Sequence, residues 1–184
     1  MHAVYIAPPP PCRFSFTACE ILCCELDDVL SSLITDAELM CQLFSLLDQP
    51  APLNSTLAGY FGRVVGSLLS KRPQQMHEYL EAHRGILDKL VTHVDTTSTV
   101  EVILRLIGAD DLAAANSGDH ATWLGETSLM RQLLDALCVP PAGSNKLERL
   151  QRAAQANIGN ILVAVAHSQC VPMFQQLTQP DYLQ

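Results

Sequence analysis

Residues 50–73 read PAPLNSTLAGYFGRVVGSLLSKRP, and their pattern is the strongest indication of the protein's architecture. Asn54 is suited to begin a helix, because its short side chain can accept a hydrogen bond from a free backbone N–H two or three residues ahead. Apolar residues then recur at spacings of three and four, which places them on one helical face: Leu57, Phe61, Val64, Val65, Leu68 and Leu69. Since proline disfavours continuation, the stretch predicts one helix between Asn54 and Pro73.

Three glycines, Gly59, Gly62 and Gly66, lie almost opposite the apolar face of this predicted helix. A glycine inside a helix costs about 1 kcal/mol relative to alanine, so three of them need a structural reason. We expect a second helix to approach the glycine face closely. A helix that is buried on two sides would be an inner element of a layered stack of helices.

Helical spacing of apolar residues recurs along most of the chain. It predicts further helices over these ranges: 17–33 (one or two short helices), 37–49, 74–83, 86–93, 97–107, 128–137 and 145–167. Thr35 to Glu38 has the spacing of a capping box at the start of the 37–49 helix. We expect a disordered proline-rich lead over 1–12, a helical-repeat domain over 13–170 and a flexible tail over 171–184. Within the domain, 109–126 is predicted to be rich in loops, and the sole tryptophan, Trp123, to anchor this segment on the core.

Three segments share one layout, each followed by a break and another helix: MCQLFSLL from Met40, LDKLVTHV from Leu87 and MRQLLDAL from Met130. Their starts are separated by 47 and 43 residues, which matches the ~40–47-residue period of HEAT and armadillo arrays. The pattern therefore predicts an all-α, armadillo/HEAT-like helical-repeat solenoid, a short fragment of about three repeats.

Three stretches in order, ACEIL (18–22), LLDQPAPLNSTLAGYFGRVVGSLLSKRPQQ (46–75) and VEVILRLIG (100–108), resemble the SAPS-domain family. Members of that family are regulatory subunits of the type-6 serine/threonine protein phosphatase. The resemblance implies a helical solenoid that binds the type-6 catalytic subunit and directs it to substrates. It further implies an ankyrin-repeat regulatory subunit as a second partner. It implies no catalysis by this chain.

Composition and charge exclude some classes of partner. The net charge of −8 and the scattering of eleven basic residues argue against binding to nucleic acid or to an anionic membrane. Seven cysteines is an odd number without the spacing of a disulfide framework, which indicates a reducing compartment. With no signal peptide and no long apolar run in the sequence, we expect a cytoplasmic protein, with the nucleus as a further location.

Residues that could carry chemistry form no recognisable constellation. Cys19, Cys23 and Cys24 cluster on a predicted helix, but a structural zinc site needs four ligands, and no second Cys/His pair has suitable spacing. Phosphate-binding glycine motifs and a strained nucleophile turn are missing from the sequence. We therefore expect no catalytic residues, no cofactor and no metal.

Polar residues on inner helices are the better functional candidates, because in armadillo arrays such helices line a groove that contacts partners. Arg63, Arg105, Asn157 and Asn160 are the predicted protein-binding residues. For each of them the alternative is ordinary solvent exposure, or capping of a neighbouring loop. The predicted function is a non-catalytic regulatory or scaffolding subunit of the type-6 phosphatase. A generic helical-repeat adaptor without phosphatase binding is the first alternative, and a small enzyme with a site assembled from dispersed His, Cys and Asp residues is the second.

Overall fold

The structure is a computed structural model that describes residues 12–24, 26–109, 122–138, 145–167 and 171–177. All regular secondary structure in these ranges is helical, which confirms the predicted all-α class. Helices α1 to α5 are Cys12–Leu22, Asp27–Thr35, Ala37–Phe44, Ser55–Lys71 and Pro73–Ala82. Helices α6 to α10 are Gly85–Thr92, Thr97–Leu106, Leu129–Cys138, Asn145–His167 and Val171–Leu177. Two 3-10 turns, Ser45–Asp48 and Thr122–Glu126, extend α3 and precede α8.

Short polar side chains begin the two helices that the sequence marked most clearly. The Asn54 Oδ1 atom accepts hydrogen bonds from the backbone N–H groups of Thr56 and Leu57, each at 3.1 Å, as predicted for the start of α4. At the start of α3 the capping residue is Asp36, whose Oδ1 accepts from two N–H groups at 2.9 and 3.0 Å. The capping box expected from Thr35 is therefore wrong by one residue. Thr35 instead ends α2 and donates its hydroxyl to the carbonyl of Ser31 at 2.7 Å.

The helices stack in two layers. In the first layer, α6 contacts both the 3-10 turn after α3 and helix α8. In the second layer, α7 packs between α4 and α9. The segments that begin at Met40, Leu87 and Met130 lie in α3, α6 and α8, so all three belong to the first layer. This arrangement confirms the predicted solenoid fragment, with one helix of each repeat in each layer.

Two of the three glycines of α4 face α7, as the sequence predicted. A β-carbon at Gly62 would lie 3.0 Å from the Ser98 β-carbon, and one at Gly66 would overlap the guanidinium of Arg105. From Gly62 to Gly66 along α4, the neighbouring residue of α7 changes from Ser98 to Arg105. Residue numbers thus increase in the same direction along both helices, so α4 and α7 are parallel. Gly59 differs, because a β-carbon there would meet nothing within 4 Å.

The core is made of aliphatic side chains from both layers. Residues with no exposed surface include Leu30, Met40, Val65, Leu68, Met76, Leu80, Leu90, Ile103, Leu106, Met130, Leu133, Ile158 and Ile161. Leu57 was predicted on the buried face of α4, but it is 44% exposed and lines an open groove between α1, α3 and α4. Trp123 is buried as predicted, and its Nε1–H donates to His77 Nδ1 at 3.2 Å.

The two ends of the chain and one internal segment were expected to lack structure. Residues 1–11 and 110–121 lie outside the described residues, so the lead and most of the loop-rich segment stay predictions. In the predicted tail, 171–177 is helix α10 and Met173 is fully buried, so this part of the prediction is wrong. Pro172 is compatible with α10 because it lies in the first turn, where a missing N–H has no intrahelical partner to lose.

Within the described ranges, no single helix combines the length and apolar character needed to cross a membrane. One bent pair, Asp27–Thr35 with Ala37–Asp48, meets the criterion by length and composition alone, with 86° between its two parts.

Candidate protein-interaction surface

Arg63 lies on the exposed side of α4 and pairs with a residue of α1. Its Nη1 donates to Glu20 Oε1 at 2.5 Å, and both side chains are nearly half exposed. The hydrogen bond to Glu20 raises the pKa of Arg63, so the guanidinium stays charged. An exposed pair of this kind contributes little to stability.

Arg105 lies on α7 and its guanidinium fills the space beside Gly66 of α4. The side chain is partly buried and takes part in the packing of the second layer. Its charged end therefore lies between two helices of successive repeats, where it contributes to the contact between them.

Asn157 and Asn160 lie three residues apart on α9 but in different surroundings. Asn157 Nδ2 donates to the backbone carbonyl of Val94 at 2.8 Å, in the loop between α6 and α7. This bond is the loop-capping arrangement weighed as the alternative for this residue. Asn160 is exposed. The four predicted residues are thus split: Arg105 and Asn157 join helices to one another, while Arg63 and Asn160 lie on the outer surface.

A groove between α1, α3 and α4, which we call the α1–α4 groove, was not predicted. Its volume is about 360 Å³. Apolar residues form most of its wall: Ala18, Leu22, Leu43, Leu46, Leu57 and Tyr60. Two exposed phenylalanines, Phe14 and Phe16, lie on α1, and Phe16 packs against the ring of Tyr60 with centroids 6.4 Å apart. The cluster of large apolar residues at 14–22 was the available sequence signal.

A second groove, of about 380 Å³, lies between α3, α5 and α6. The Tyr79 and His83 rings stack at 4.4 Å between centroids, and Phe44 stacks on Tyr79 at 5.7 Å. Burial raises the pKa of Tyr79, so its hydroxyl stays protonated at neutral pH. Lys89 on the rim pairs with Asp48 at 2.5 Å. The sequence places these residues on three different helices, so no local pattern could bring them together.

Two buried polar side chains, His93 and Thr99, bond to backbone carbonyls, while the second ring nitrogen of His93, Nδ1, is buried without a hydrogen-bond partner. His93 is fully buried, with Nε2 at 3.1 Å from the carbonyl of Leu47. Because a carbonyl only accepts, Nε2 carries the proton. Thr99 donates its hydroxyl to the carbonyl of His93 at 2.5 Å. Across the part of the chain that the structure describes, no three His, Cys, Asp or Glu side chains are grouped so as to hold a metal ion.

Comparison with known proteins identifies the family of this chain. The family model described as SIT4 phosphatase-associated protein, or SAPS, matches residues 65–184, which is more than half of the chain. The chain belongs to the SAPS family. The match begins within α4 and includes both later helices of the second layer, α7 and α9.

Individual relatives share modest identity with this SAPS-family chain. Mouse serine/threonine-protein phosphatase 6 regulatory subunit 2 is 28% identical over 124 residues, which is 66% of the chain and 13% of the relative. Human serine/threonine-protein phosphatase 6 regulatory subunit 1 is 26% identical over 125 residues, 68% of the chain and 14% of the relative. The extragenic suppressor of kinetochore protein 1 of Schizosaccharomyces pombe is 28% identical over 129 residues, 70% of the chain and 15% of the relative. The chain therefore spans about a seventh of the length of these relatives, and no solved structure matches it.

Proposed function

We propose that this protein is a non-catalytic regulatory subunit that binds the catalytic subunit of the type-6 serine/threonine protein phosphatase and directs it to substrates. The observation that carries the proposal is the SAPS match over residues 65–184. Relatives named as regulatory subunits of phosphatase 6 support it. The matched region is built as stacked helices, an arrangement that suits a binding subunit.

The mechanism we propose is that of a rigid scaffold. A solenoid that holds an enzyme and its substrate together raises the local substrate concentration and limits the relative orientation of the two. The contacts of Arg105 with Gly66 and of Asn157 with the Val94 carbonyl support this role, because they join successive repeats and make the second layer stiff. The phosphatase metals would belong to the catalytic subunit.

We place the phosphatase contact on the outer surface of the second layer, at Arg63 on α4 and Asn160 on α9. Both residues are exposed, and the contact that Arg63 makes with Glu20 of α1 lies on the surface. An ankyrin-repeat subunit is proposed as a second partner, and the cytoplasm and nucleus as the locations. With a net charge of −8, nucleic acid is not proposed as a partner.

The test is capture of purified type-6 catalytic subunit by the immobilised, folded chain, with a type-2A catalytic subunit as the specificity control. We expect the type-6 subunit to be retained selectively. A folded chain that retains none of it would overturn the proposal and favour a generic helical-repeat adaptor.

Arg63→Glu and Arg84→Glu form a matched pair that tests the position of the contact. Both arginines are nearly half exposed and both lie in exposed ion pairs, Arg63 with Glu20 and Arg84 with Glu81. Each variant makes the same change of charge, but Arg84 lies between α5 and α6, where it lines the second groove. We expect Arg63→Glu to weaken binding by about tenfold or more, as loss of an interface arginine does. Equal affinities in the two variants would rule out Arg63 as a contact residue.

A further inference from the structure

Two cysteine side chains meet at the end of α1. Cys19 and Cys23 are one helical turn apart, and their sulfur atoms are separated by 3.9 Å. Cys19 is buried and Cys23 is partly buried. The third cysteine of this segment, Cys24, is exposed. The sequence predicted a cluster of three cysteines here, but in the structure only Cys19 and Cys23 lie side by side.

One member of the pair, Cys19, borders an apolar cavity. Cys19 is part of the wall of the α1–α4 groove, together with Leu22, Leu43 and Leu46. Its thiol lies 3.9 Å from the backbone carbonyl of Tyr60, which is positioned to accept its proton in a hydrogen bond. A ligand held by the two sulfurs could therefore place an apolar substituent against the wall of the groove.

The distance between the sulfurs favours a bridging atom over a direct bond. A disulfide needs sulfurs about 2.05 Å apart and β-carbons about 3.8 Å apart, whereas residues four apart on a helix have β-carbons roughly 5–6 Å apart. One atom with two bonds of about 2.3 Å would span the observed 3.9 Å at a bent angle of roughly 115°. A bent geometry suits a pyramidal centre better than a linear two-coordinate ion. Zinc would need further ligands, and among the described residues no third His, Cys, Asp or Glu joins the pair.

We propose that Cys19 and Cys23 form a dithiol site for trivalent arsenic and similarly bent thiophilic centres, with an apolar substituent held in the α1–α4 groove. Thiolate sulfur is the soft ligand that such centres prefer. The site is independent of phosphatase binding.

The binding reaction balances without an oxidant. An organoarsenic(III) oxide, R–As=O, condenses with the two thiols to give R–As(S–Cys)₂ and one water molecule. Two S–H bonds and the As=O bond break, two As–S bonds form, and the thiol protons leave with the oxygen as water. Arsenic stays trivalent. Burial, with a smaller contribution from Cys23, raises the pKa of Cys19 to about 11, so this thiol is protonated at neutral pH and supplies its proton to the departing water.

The test treats the full chain with phenylarsine oxide and follows the adduct by intact-protein mass spectrometry and peptide mapping. We expect one phenylarsenic group per chain that resists a monothiol such as 2-mercaptoethanol and is released by a dithiol such as 2,3-dimercaptopropanol. Cys19→Ser and Cys23→Ser each leave a single As–S bond. They should weaken binding by about 100-fold or more, since the second bond is intramolecular. Cys24→Ser is the matched control, with affinity expected within about twofold of the parent chain.

Circular dichroism of each variant separates loss of the site from loss of the fold. If serine at the buried position 19 unfolds the protein, the Cys23→Ser variant alone provides the test. A stable adduct that survives Cys23→Ser, or one that is lost in Cys24→Ser, would overturn the proposal. An adduct mapped to Cys41 or Cys138 would do the same, since neither belongs to the pair.

Discussion

The guanidinium of Arg105 on α7 occupies the space that a β-carbon at Gly66 on α4 would need. The Arg105 side chain thus fills the space that is left because Gly66 has no side chain, and the two residues belong to helices of successive repeats. A glycine that is unfavourable for an isolated helix is thus favourable in the stack, because it allows a long cationic side chain to lie against the helix backbone. The same reasoning distinguishes the three glycines of α4 from one another.

The glycines of α4 give the first prediction. We expect Gly62→Leu to lower the free energy of unfolding by about 1–3 kcal/mol through overpacking. The physical reason is that its β-carbon would meet the Ser98 β-carbon at 3.0 Å and the Ser98 carbonyl oxygen at 3.3 Å. Gly59→Ala is the control and should raise stability by up to about 1 kcal/mol, because open space surrounds position 59. Urea unfolding measures both, and an unchanged midpoint for Gly62→Leu would contradict the packing.

Asn157 and Asn160 form a natural comparison on one helix. Asn157→Ala leaves the Val94 carbonyl without the donor that lies at 2.8 Å, and should cost about 1–3 kcal/mol of stability. Asn160→Ala makes the same chemical change at an exposed position and should stay within about 0.5 kcal/mol of the parent. Thermal or urea unfolding distinguishes them. If the two variants were equally stable, Asn157 would not join α9 to the loop between α6 and α7.

Trp123 gives a spectroscopic prediction, because it is the sole tryptophan of the chain. His77→Leu removes the acceptor of the Trp123 Nε1–H while keeping an apolar side chain in a buried position. We expect a loss of about 1–3 kcal/mol in stability and greater quenching of the Trp123 emission by acrylamide. His167→Leu, at an exposed position at the end of α9, should change neither quantity. Identical quenching in all three proteins would show that His77 does not hold the indole.

The raised pKa of Cys19 predicts how the free energy of unfolding changes at alkaline pH. Burial of the thiol, with a smaller effect of Cys23, raises the pKa from 9.0 to about 11. As pH rises, the unfolded chain therefore loses this proton before the folded chain does, and ionisation favours the unfolded state. The contribution of Cys19 is fully present below about pH 9 and is lost progressively between about 9 and 11.

Serine at position 19 does not titrate in this range, so Cys19→Ser isolates the effect. The difference in unfolding free energy between the parent chain and Cys19→Ser should shrink as pH rises through that window. Urea titrations below pH 9 and near pH 11 measure the difference. A difference that stays constant with pH would show that the thiol is not buried in the folded protein.

Much of the fold could be predicted from local patterns in the sequence. Asn54 begins α4 as predicted, because a capping side chain bonds to N–H groups only two and three residues ahead. The repeat starting at Met40, Leu87 and Met130 identified the three helices of the first layer, because each repeat must bury a similar apolar face. The cap of α3 was misplaced by one residue because Thr35 and Asp36 are both good capping residues and sequence spacing alone does not choose between them.

Less of the candidate interaction surface could be predicted from the sequence. The partner of Asn157 is a carbonyl 63 residues earlier in the chain, and the partner of Arg63 is a glutamate 43 residues earlier. Contacts of this kind depend on how helices cross, which no short window of sequence specifies. The two grooves were missed for the same reason, since each is bordered by three helices that are separate in the chain.

Local patterns in the sequence are enough to predict a helical protein, the position of most helices and their solenoid period, because helix periodicity and capping act between near neighbours. The three-dimensional packing is needed to show that Gly66 accommodates Arg105, that Asn157 caps a loop while Asn160 stays exposed, and that Cys19 faces Cys23 beside a groove. These outcomes depend on packing between distant segments, where a shift of one helical turn would change every neighbour.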